Sequence, residues 1–412
     1  MRQMKDSGIE WIGEIPQDWS LNKIGNMYSE RKQKVSDRDY APLSVTMKGI
    51  VPQLSTAAKT DAHDDRKLVL KGDFAINSRS DRRGSCGISQ YDGSVSLINT
   101  ILAPNQDMNP EYYDWLFHTS MFSDEYYKWG HGIVDDLWTT GWQDMKSIVV
   151  PCPDLSEQQA IATFLDKKCT EIDNAIAKTT ASIEEYKKLK QSIITKAVTK
   201  GIRGNRPMKD SGIEWIGEIP EDWQEIQNRY LFRENIRTPD RNSIPLSLSQ
   251  VDGLIPTEEM KENSLKTSTY DNWKQVRLND LILNRFKGHL GVLFAAQIEG
   301  MVSFHYGVYE PIMEMITKYY EYLFHSSVYK CILGLKSNGM TIGLQNLSNQ
   351  NFYSVKSIYP SIQEQKEIVE YIDNKCVEID NIMAKKQQLI TELEAYKKSL
   401  IYEYVTGKKE VV

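Results

Sequence analysis

Residues 157–200 contain no glycine or proline, and their apolar side chains recur at helical spacing: Ile161, Phe164, Leu165, Ile172, Ile176, Ile183, Tyr186, Ile193 and Ala197. Ile368, Tyr371, Ile372, Ile379, Met383, Ile390, Leu393, Leu400 and Tyr404 repeat the pattern near the other end of the chain. Just after a proline in each case, Asp154-x-x-Glu157 and Ser361-x-x-Glu364 have the spacing of a capping box, and Gly201 and Gly407 stand where each helix should close. At 1.5 Å per residue such a helix is a rod of roughly 66 Å. A narrow apolar stripe on so long a helix predicts pairing with a second helix, and the obvious partner is its own counterpart. Lys190 and Lys397 interrupt the stripe at equivalent places, as register-setting residues do.

The stretches ahead of these helices have a different pattern. They carry short β-type runs, Leu68-Val69-Leu70, Phe74-Ala75-Ile76 and Val95-Ser96-Leu97-Ile98 in the first, Leu281-Ile282-Leu283 and Val302-Ser303-Phe304 in the second. Short helices are expected at residues 111–119 and 319–330. The chain therefore reads as mixed α+β: a globular front over 1–151, a long helix over 152–200, a linker at 201–207, a second front over 208–358 and a second long helix over 359–407.

That order is a duplication. Residues 4–19 read MKDSGIEWIGEIPQDW and 208–223 read MKDSGIEWIGEIPEDW, differing only at Gln17 and Glu221. At an offset of 207, Glu171-Ile172-Asp173-Asn174 aligns with Glu378-Ile379-Asp380-Asn381, and Tyr113, Phe117 and His118 align with Tyr320, Phe324 and His325; Pro42-Leu43-Ser44 matches Pro245-Leu246-Ser247 at an offset of 203. The repeated tryptophan motif either packs on the helical rod or docks one partner at two places. Antiparallel pairing of the helices would relate the repeats by a pseudo-two-fold axis.

Composition narrows the class. With 412 residues, 40% apolar and 26% charged, the chain is globular and of several domains. It has no run of eighteen apolar residues and no apolar signal segment after Met1-Arg2-Gln3-Met4. The five cysteines are widely spaced and form no C-x-x-C pair, so neither a zinc site nor a disulfide framework is expected, and a cytoplasmic location is. A net charge of −6 excludes a chain basic all over, but nucleic-acid binding depends on where the positive charge sits.

Catalytic patterns are missing from the sequence: no Asn-Pro-Pro-aromatic or Asp-Pro-Pro-aromatic motif, no glycine-rich loop for S-adenosylmethionine, no nucleotide-phosphate loop and no metal spacing among the six histidines. Asp240 with Glu259-x-Lys261 has the outline of a metal-dependent nuclease centre, but the first repeat has no counterpart.

The candidate binding residues lie in loops. Arg79, Ser80, Arg82, Arg83 and Ser85 follow an apolar strand, and their guanidinium forks and hydroxyls suit guanine edges and phosphates. Arg285, Lys287 and His289 occupy the matching place in the second repeat. Lys128 and His131, and opposite them Lys336 and Asn338, form a second pair of donor-rich loops. A plain reading as solvated turns stands beside this one.

The doubled G-I-E-W-I-G-E-I-P-x-D-W motif, the doubled helix start (Pro153-Asp154-Leu155-Ser156-Glu157-Gln158 and Pro360-Ser361-Ile362-Gln363-Glu364-Gln365) and the twofold order of variable front and long helix resemble the specificity subunit of type I DNA restriction–modification enzymes. The resemblance covers essentially the whole chain. It implies two target-recognition domains, each reading half of a bipartite double-stranded DNA site, and two long antiparallel helices between them. It further implies docking of two methyltransferase subunits, which use S-adenosylmethionine to modify adenine N6, and of restriction subunits that use ATP and Mg²⁺. The chain itself would be non-catalytic and hold no cofactor. A self-contained nuclease using Asp240, Glu259 and Lys261, or a coiled-coil scaffold without a DNA role, are the alternatives.

Overall fold

The computed structural model describes residues 2–55, 63–105, 108–132, 138–240, 242–250, 252–260, 272–337 and 346–411. Two helices dominate, Leu155–Lys200 and Ile362–Val405, of 46 and 44 residues. Both end on a glycine in the left-handed region, Gly201 at φ 75° and Gly407 at φ 69°, the conformation that lets the next amides turn back onto the last carbonyls. The compact units cut across the linear segments: one comprises residues 1–180 with 388–412, the other residues 181–387. Each unit thus holds one globular front, part of one long helix and part of the other.

Within the first unit the two helical segments run antiparallel, since Phe164 meets Tyr404 (ring centroids 4.4 Å apart) and Asp173 meets Lys397. Within the second, Tyr186 lies against Lys386 and Lys190 against Asp380, again antiparallel. The apolar stripe is buried or half-buried along both helices except at Tyr371, which is exposed, and in the last turns of the first helix Ile194, Ala197 and Val198 are buried while Ile193 is half-buried.

The front of the first unit is built on a four-stranded antiparallel sheet ordered Cys86–Ile88, Phe74–Asn77, Asn99–Pro104, Tyr28–Glu30. The second front repeats it as Leu293–Ala295, Leu281–Asn284, Tyr306–Pro311, Phe232–Glu234. An antiparallel ribbon closes each front, Ser20–Lys23 with Val149–Cys152 and Gln224–Gln227 with Lys356–Tyr359, bringing its first and last residues together at the start of the long helix. Gly93 and Gly300 mark an equivalent close approach: a Cβ on Gly93 would lie 2.6 Å from the Ala41 carbonyl oxygen, and one on Gly300 would lie 2.4 Å from that of Ile244.

Two expectations shift. The β-type runs Val95-Ser96-Leu97-Ile98 and Val302-Ser303-Phe304 end early, at Ser96 and Val302, and the following residues form turns into Asn99–Pro104 and Tyr306–Pro311. The single short helix expected in each front is a pair, Pro110–Phe117 with Ser120–Lys128 and Thr317–His325 with Ser327–Lys336. Thr119 and Ser326 take extended backbone and accept amide hydrogens from Phe122 and Tyr329, so each ends one helix and caps the next.

These helix pairs pack aromatic cores against the sheet. In the first unit Tyr28, Phe74, Tyr113, Phe117 and Phe122 join Ile161, Leu165, Leu400 and Val405 of the long helices. In the second, Phe232, Tyr320, Phe324 and Phe352 join Ile194, Val198, Ile368 and Ile372. Each front is anchored at depth as well: Tyr112 Oη donates to the Val405 carbonyl at 2.8 Å, and Tyr319 Oη to that of Val198 at 2.8 Å.

Candidate nucleic-acid interface

In the first unit, strand Phe74–Asn77 runs into a 3₁₀ turn, Ser80–Arg82. Ser78 and Thr140 are tied by a backbone bond of 2.9 Å, Ser80 donates its amide to Trp138 O at 2.9 Å, and Thr139 and His131 exchange backbone bonds of 3.0 and 3.1 Å. The two loops singled out in sequence, around Arg79 and around Lys128, are therefore brought together through the segment 138–140. Ser85 is buried and serves the turn, its carbonyl accepting from Asn77 N at 2.9 Å.

The three arginines are not equivalent. Arg79 is forked onto Asp81 at 3.0 and 3.2 Å. Arg83 pairs with Asp124 at 2.7 Å and lies over the Tyr127 ring at 5.3 Å. Arg82 is the most exposed, 67% against 39% and 52%, and its nearest carboxylate is Asp81 at 3.8 Å. Lys128 and His131 are also exposed, the first 3.8 Å from Glu125 and the second 3.3 Å from Asp144. Exposed side chains this loosely paired exchange a weak partner for a phosphate or a base edge at small cost.

The matching corner of the second unit differs. Arg285 turns inward: it reaches Glu234 at 2.5 Å and Asn349 at 2.8 Å, and Lys274 meets the same carboxylate at 2.9 Å. Burial would raise the Glu234 carboxyl, but hydrogen bonds from Lys274 and Asn349 and the charge of Arg285 hold it below the usual range. Arg285 thus spends its guanidinium on Glu234 and Asn349 inside the fold, unlike the exposed arginines of the first unit. Lys287 is exposed and Lys336 ends its helix exposed to solvent. His289 lies on the 3₁₀ segment Arg285–Leu290, but its side chain, like the whole of Asn338, lies outside the described residues.

Sequence reasoning missed a second built feature. The repeated tryptophan closes onto the start of each long helix: Trp19 Nε1 donates to Glu157 at 2.8 Å, and Trp223 Nε1 to Glu364 at 2.9 Å. An arginine completes each set. Arg2 pairs with Glu157 and lies 5.6 Å over Trp19, while Arg206 pairs with Glu364 at 2.6 Å and lies 5.1 Å over Trp223. Hydrogen bonding to Glu157 raises the Arg2 guanidinium above its ordinary value. The capping boxes are accordingly only half made. Asp154 and Ser361 accept the amides of Glu157 and Glu364 at 2.8 and 3.3 Å, but the glutamates turn to tryptophan and arginine instead of reaching back. Arg2 and Arg206 share the 204-residue offset of the motif, which is the signal that could have found them.

Two constellations have a catalytic outline. Cys86 Sγ lies 3.7 Å from His118 Nε2, whose Nδ1 is 2.8 Å from the Asp114 carbonyl oxygen. The thiol is fully buried and burial pushes it up, the reverse of an activated nucleophile. Lys261 lies outside the described residues, and no cluster of three histidine, cysteine or acidic side chains suited to a metal occurs among the described ones.

Two repeated α/β fronts on antiparallel helices, each with an exposed corner of its own chemistry, define a duplicated recognition scaffold. A profile described as the type I restriction modification DNA specificity domain matches residues 220–395. The type I restriction enzyme MjaVIII specificity subunit of Methanocaldococcus jannaschii is 23% identical over 96% of this chain and 94% of its own. Among solved structures, a chain from a study of complex assembly and conformational transition in the type I R-M system covers 96% of this chain and 99% of its own, with a TM-score of 0.69 at 11% identity. The HsdS subunit from Thermoanaerobacter tengcongensis covers 96% and 98%, with a TM-score of 0.53 at 12% identity. Over nearly its whole length the chain is similar to specificity subunits of type I restriction–modification systems.

Proposed function

We propose that this chain reads a bipartite, asymmetric double-stranded DNA target, one half through each front, for a type I restriction–modification complex. The readers are residues 1–151 and 208–358, the long helices over 152–200 and 359–407 carry them, and 201–207 joins the two. The observation that carries this reading is that one corner of a repeated fold bears different exposed side chains in the two units. Arg82, Lys128 and His131 mark the first, Lys287 and Lys336 the second. Unlike corners read unlike half-sites.

On this reading the chain docks two methyltransferase subunits and restriction subunits. Those partners hold S-adenosylmethionine, ATP and Mg²⁺ and share the phosphate contacts, which makes a net charge of −6 tolerable here. The complex works in the cytoplasm, where the five cysteines, all free among the side chains of this chain, stay reduced. No helix among the described residues is long and apolar enough to cross a membrane. Methylome sequencing of a host carrying this chain with its methyltransferase subunit tests the reading: an asymmetric two-part adenine-methylated motif is expected, and methylation without a motif, or none, overturns it.

A further inference from the structure

The corner of the second unit is apolar where that of the first is cationic. Strand Leu281–Asn284 pairs with Tyr306–Pro311 so that Asn284 faces Tyr306, which places the segment after Asn284 beside the turn before Tyr306. The Asn284 side chain accepts the amides of Phe286 and Lys287 at 3.1 and 3.2 Å and fixes the first of these loops. With Arg285 turned inward to Glu234, the outer side of the loop presents Phe286, 48% exposed, and the cation of Lys287. From the neighbouring turn come Phe304, 52% exposed, and His305. His305 joins the two phenylalanines, lying 3.9 Å from Phe304 and 5.8 Å from Phe286 between ring centroids.

The first unit builds the same corner. Asn77 faces Asn99 across the equivalent strands, and Ser78 donates to the Ile98 carbonyl of the equivalent turn. Its exposed groups are Arg79, Arg82, Arg83 and Ile98. One position in a duplicated fold thus carries guanidinium forks once and a ring cluster once.

We propose that Phe286, Phe304 and His305 are the specificity-determining residues of the second front, reading thymine C5-methyl groups in the major groove of its half-site. The proposal rests on the DNA-reading function above and adds the chemistry of one half. A thymine methyl is the apolar feature of the major-groove edge, and phenylalanine meets it without a hydrogen bond. Exposed rings gain by leaving water against such a methyl, while Lys287 beside them supplies the attraction to phosphate that a purely apolar patch lacks. His305 adds a ring nitrogen for an acceptor on a neighbouring base. Guanine-reading forks are the counterpart in the first unit, so the two half-sites differ in kind.

The test uses the full chain with its methyltransferase subunit, as wild type and as the doubly substituted Phe286→Ala, Phe304→Ala protein. Both rings are about half exposed, so folding should be retained, and circular dichroism checks it. The motif is first mapped by methylome sequencing. Binding is then measured on duplexes in which thymines of one half-site at a time are replaced by uracil, which removes only the methyl. Wild type should lose at least about fivefold in affinity on uracil duplexes of one half-site, and the double variant should be indifferent to the same change. The variant should also relax that half-site alone in methylome maps. A half-site unaffected by uracil, or a variant that keeps the full wild-type motif, overturns the ring assignment while two-part recognition stands. A wild-type complex without sequence preference overturns both readings together.

Discussion

Lys397 Nζ lies 2.7 Å from both carboxylate oxygens of Asp173, and in the other unit Lys190 stands in the same relation to Asp380. The lysines are 207 residues apart and so are the aspartates, so one device is used twice. Each lysine sits in the apolar stripe of its helix, where register has to be specified against sliding by a turn. Burying a lysine there is tolerable only in the register that puts an aspartate opposite.

Reversing one member should therefore harm pairing more than its bond energy alone suggests. The aspartates are half exposed, 57% for Asp173 and 52% for Asp380, so each bridge by itself is worth about 0.5 kcal/mol after solvent screening. Asp173→Lys should lower the stability of the first unit, and Lys397→Asp with Asp173→Lys should restore most of it. A double-mutant cycle read by hydrogen exchange in 388–405 measures the coupling. A coupling of zero would leave register to the apolar contacts alone.

The two tryptophan anchors should differ in strength. The side chains of Glu364 and Arg206 are 1% and 14% exposed, whereas those of Glu157 and Arg2 are 22% and 19% exposed. Removing a partner from a buried pair strands the remaining charge. Arg206→Ala should cost about 3 kcal/mol in the second unit, and Arg2→Ala about 1 kcal/mol in the first. Exchange rates at the two helix starts, followed separately in urea, give both values. Equal losses would mean that burial does not set the strength of these anchors.

The arginines of the two corners should separate folding from binding. Arg82→Ala should leave stability within about 0.5 kcal/mol and cost about 1–3 kcal/mol in binding, relaxing one half-site if Arg82 forks a guanine. Arg285→Ala should do the opposite, because it leaves the half-buried Glu234 short of one of its two cations. Urea unfolding and duplex binding of the two variants decide the matter. Loss of binding without loss of stability in Arg285→Ala would return that residue to the interface.

What could be read in advance, and what could not, follows from range. The long helices show in the sequence because a periodicity sustained over forty positions averages out single exceptions such as Lys190. The repeat is legible residue by residue, and with it the common architecture of the fronts. Arg285 misleads because charge in a loop does not say which way a side chain points, and its partner Glu234 is 51 residues away. Ile98 and Phe304 were hidden for another reason. They extend a β-type run by two positions, and only the pairing of Asn99 with Asn77 and of Tyr306 with Asn284 reveals that the chain has already turned. The tryptophan motif left two readings open, and Trp19 on Glu157 and Trp223 on Glu364 place the second tryptophan of each copy on a helix start.

His325 should make the second unit acid-sensitive. Its imidazole is buried against Phe294, with ring centroids 5.0 Å apart, and burial, aided by the charges of Lys330 and Lys318, holds it down to about 4 from an ordinary 6.5. Hydrogen bonds to the Leu293 and Gly291 backbone favour the proton but do not prevail. The sign follows from linkage. Between pH 6.5 and about 4 the unfolded chain binds a proton that the folded unit does not, so stability is full above 6.5 and falls as pH drops through that window, by up to roughly 3 kcal/mol. Glu321 in the same unit works the other way: burial pushes its carboxyl up in spite of Lys318, so the folded unit takes up that proton first and regains part of the loss. Comparing variants isolates the histidine. His325→Phe keeps a ring against Phe294, loses the backbone hydrogen bonds at a pH-independent cost of about 1 kcal/mol, and should flatten the stability curve of the second unit between pH 6.5 and 4. Stability measured by hydrogen exchange within 317–336 at several pH values shows the slope directly, and a variant that keeps the wild-type slope would assign the acid sensitivity to other groups.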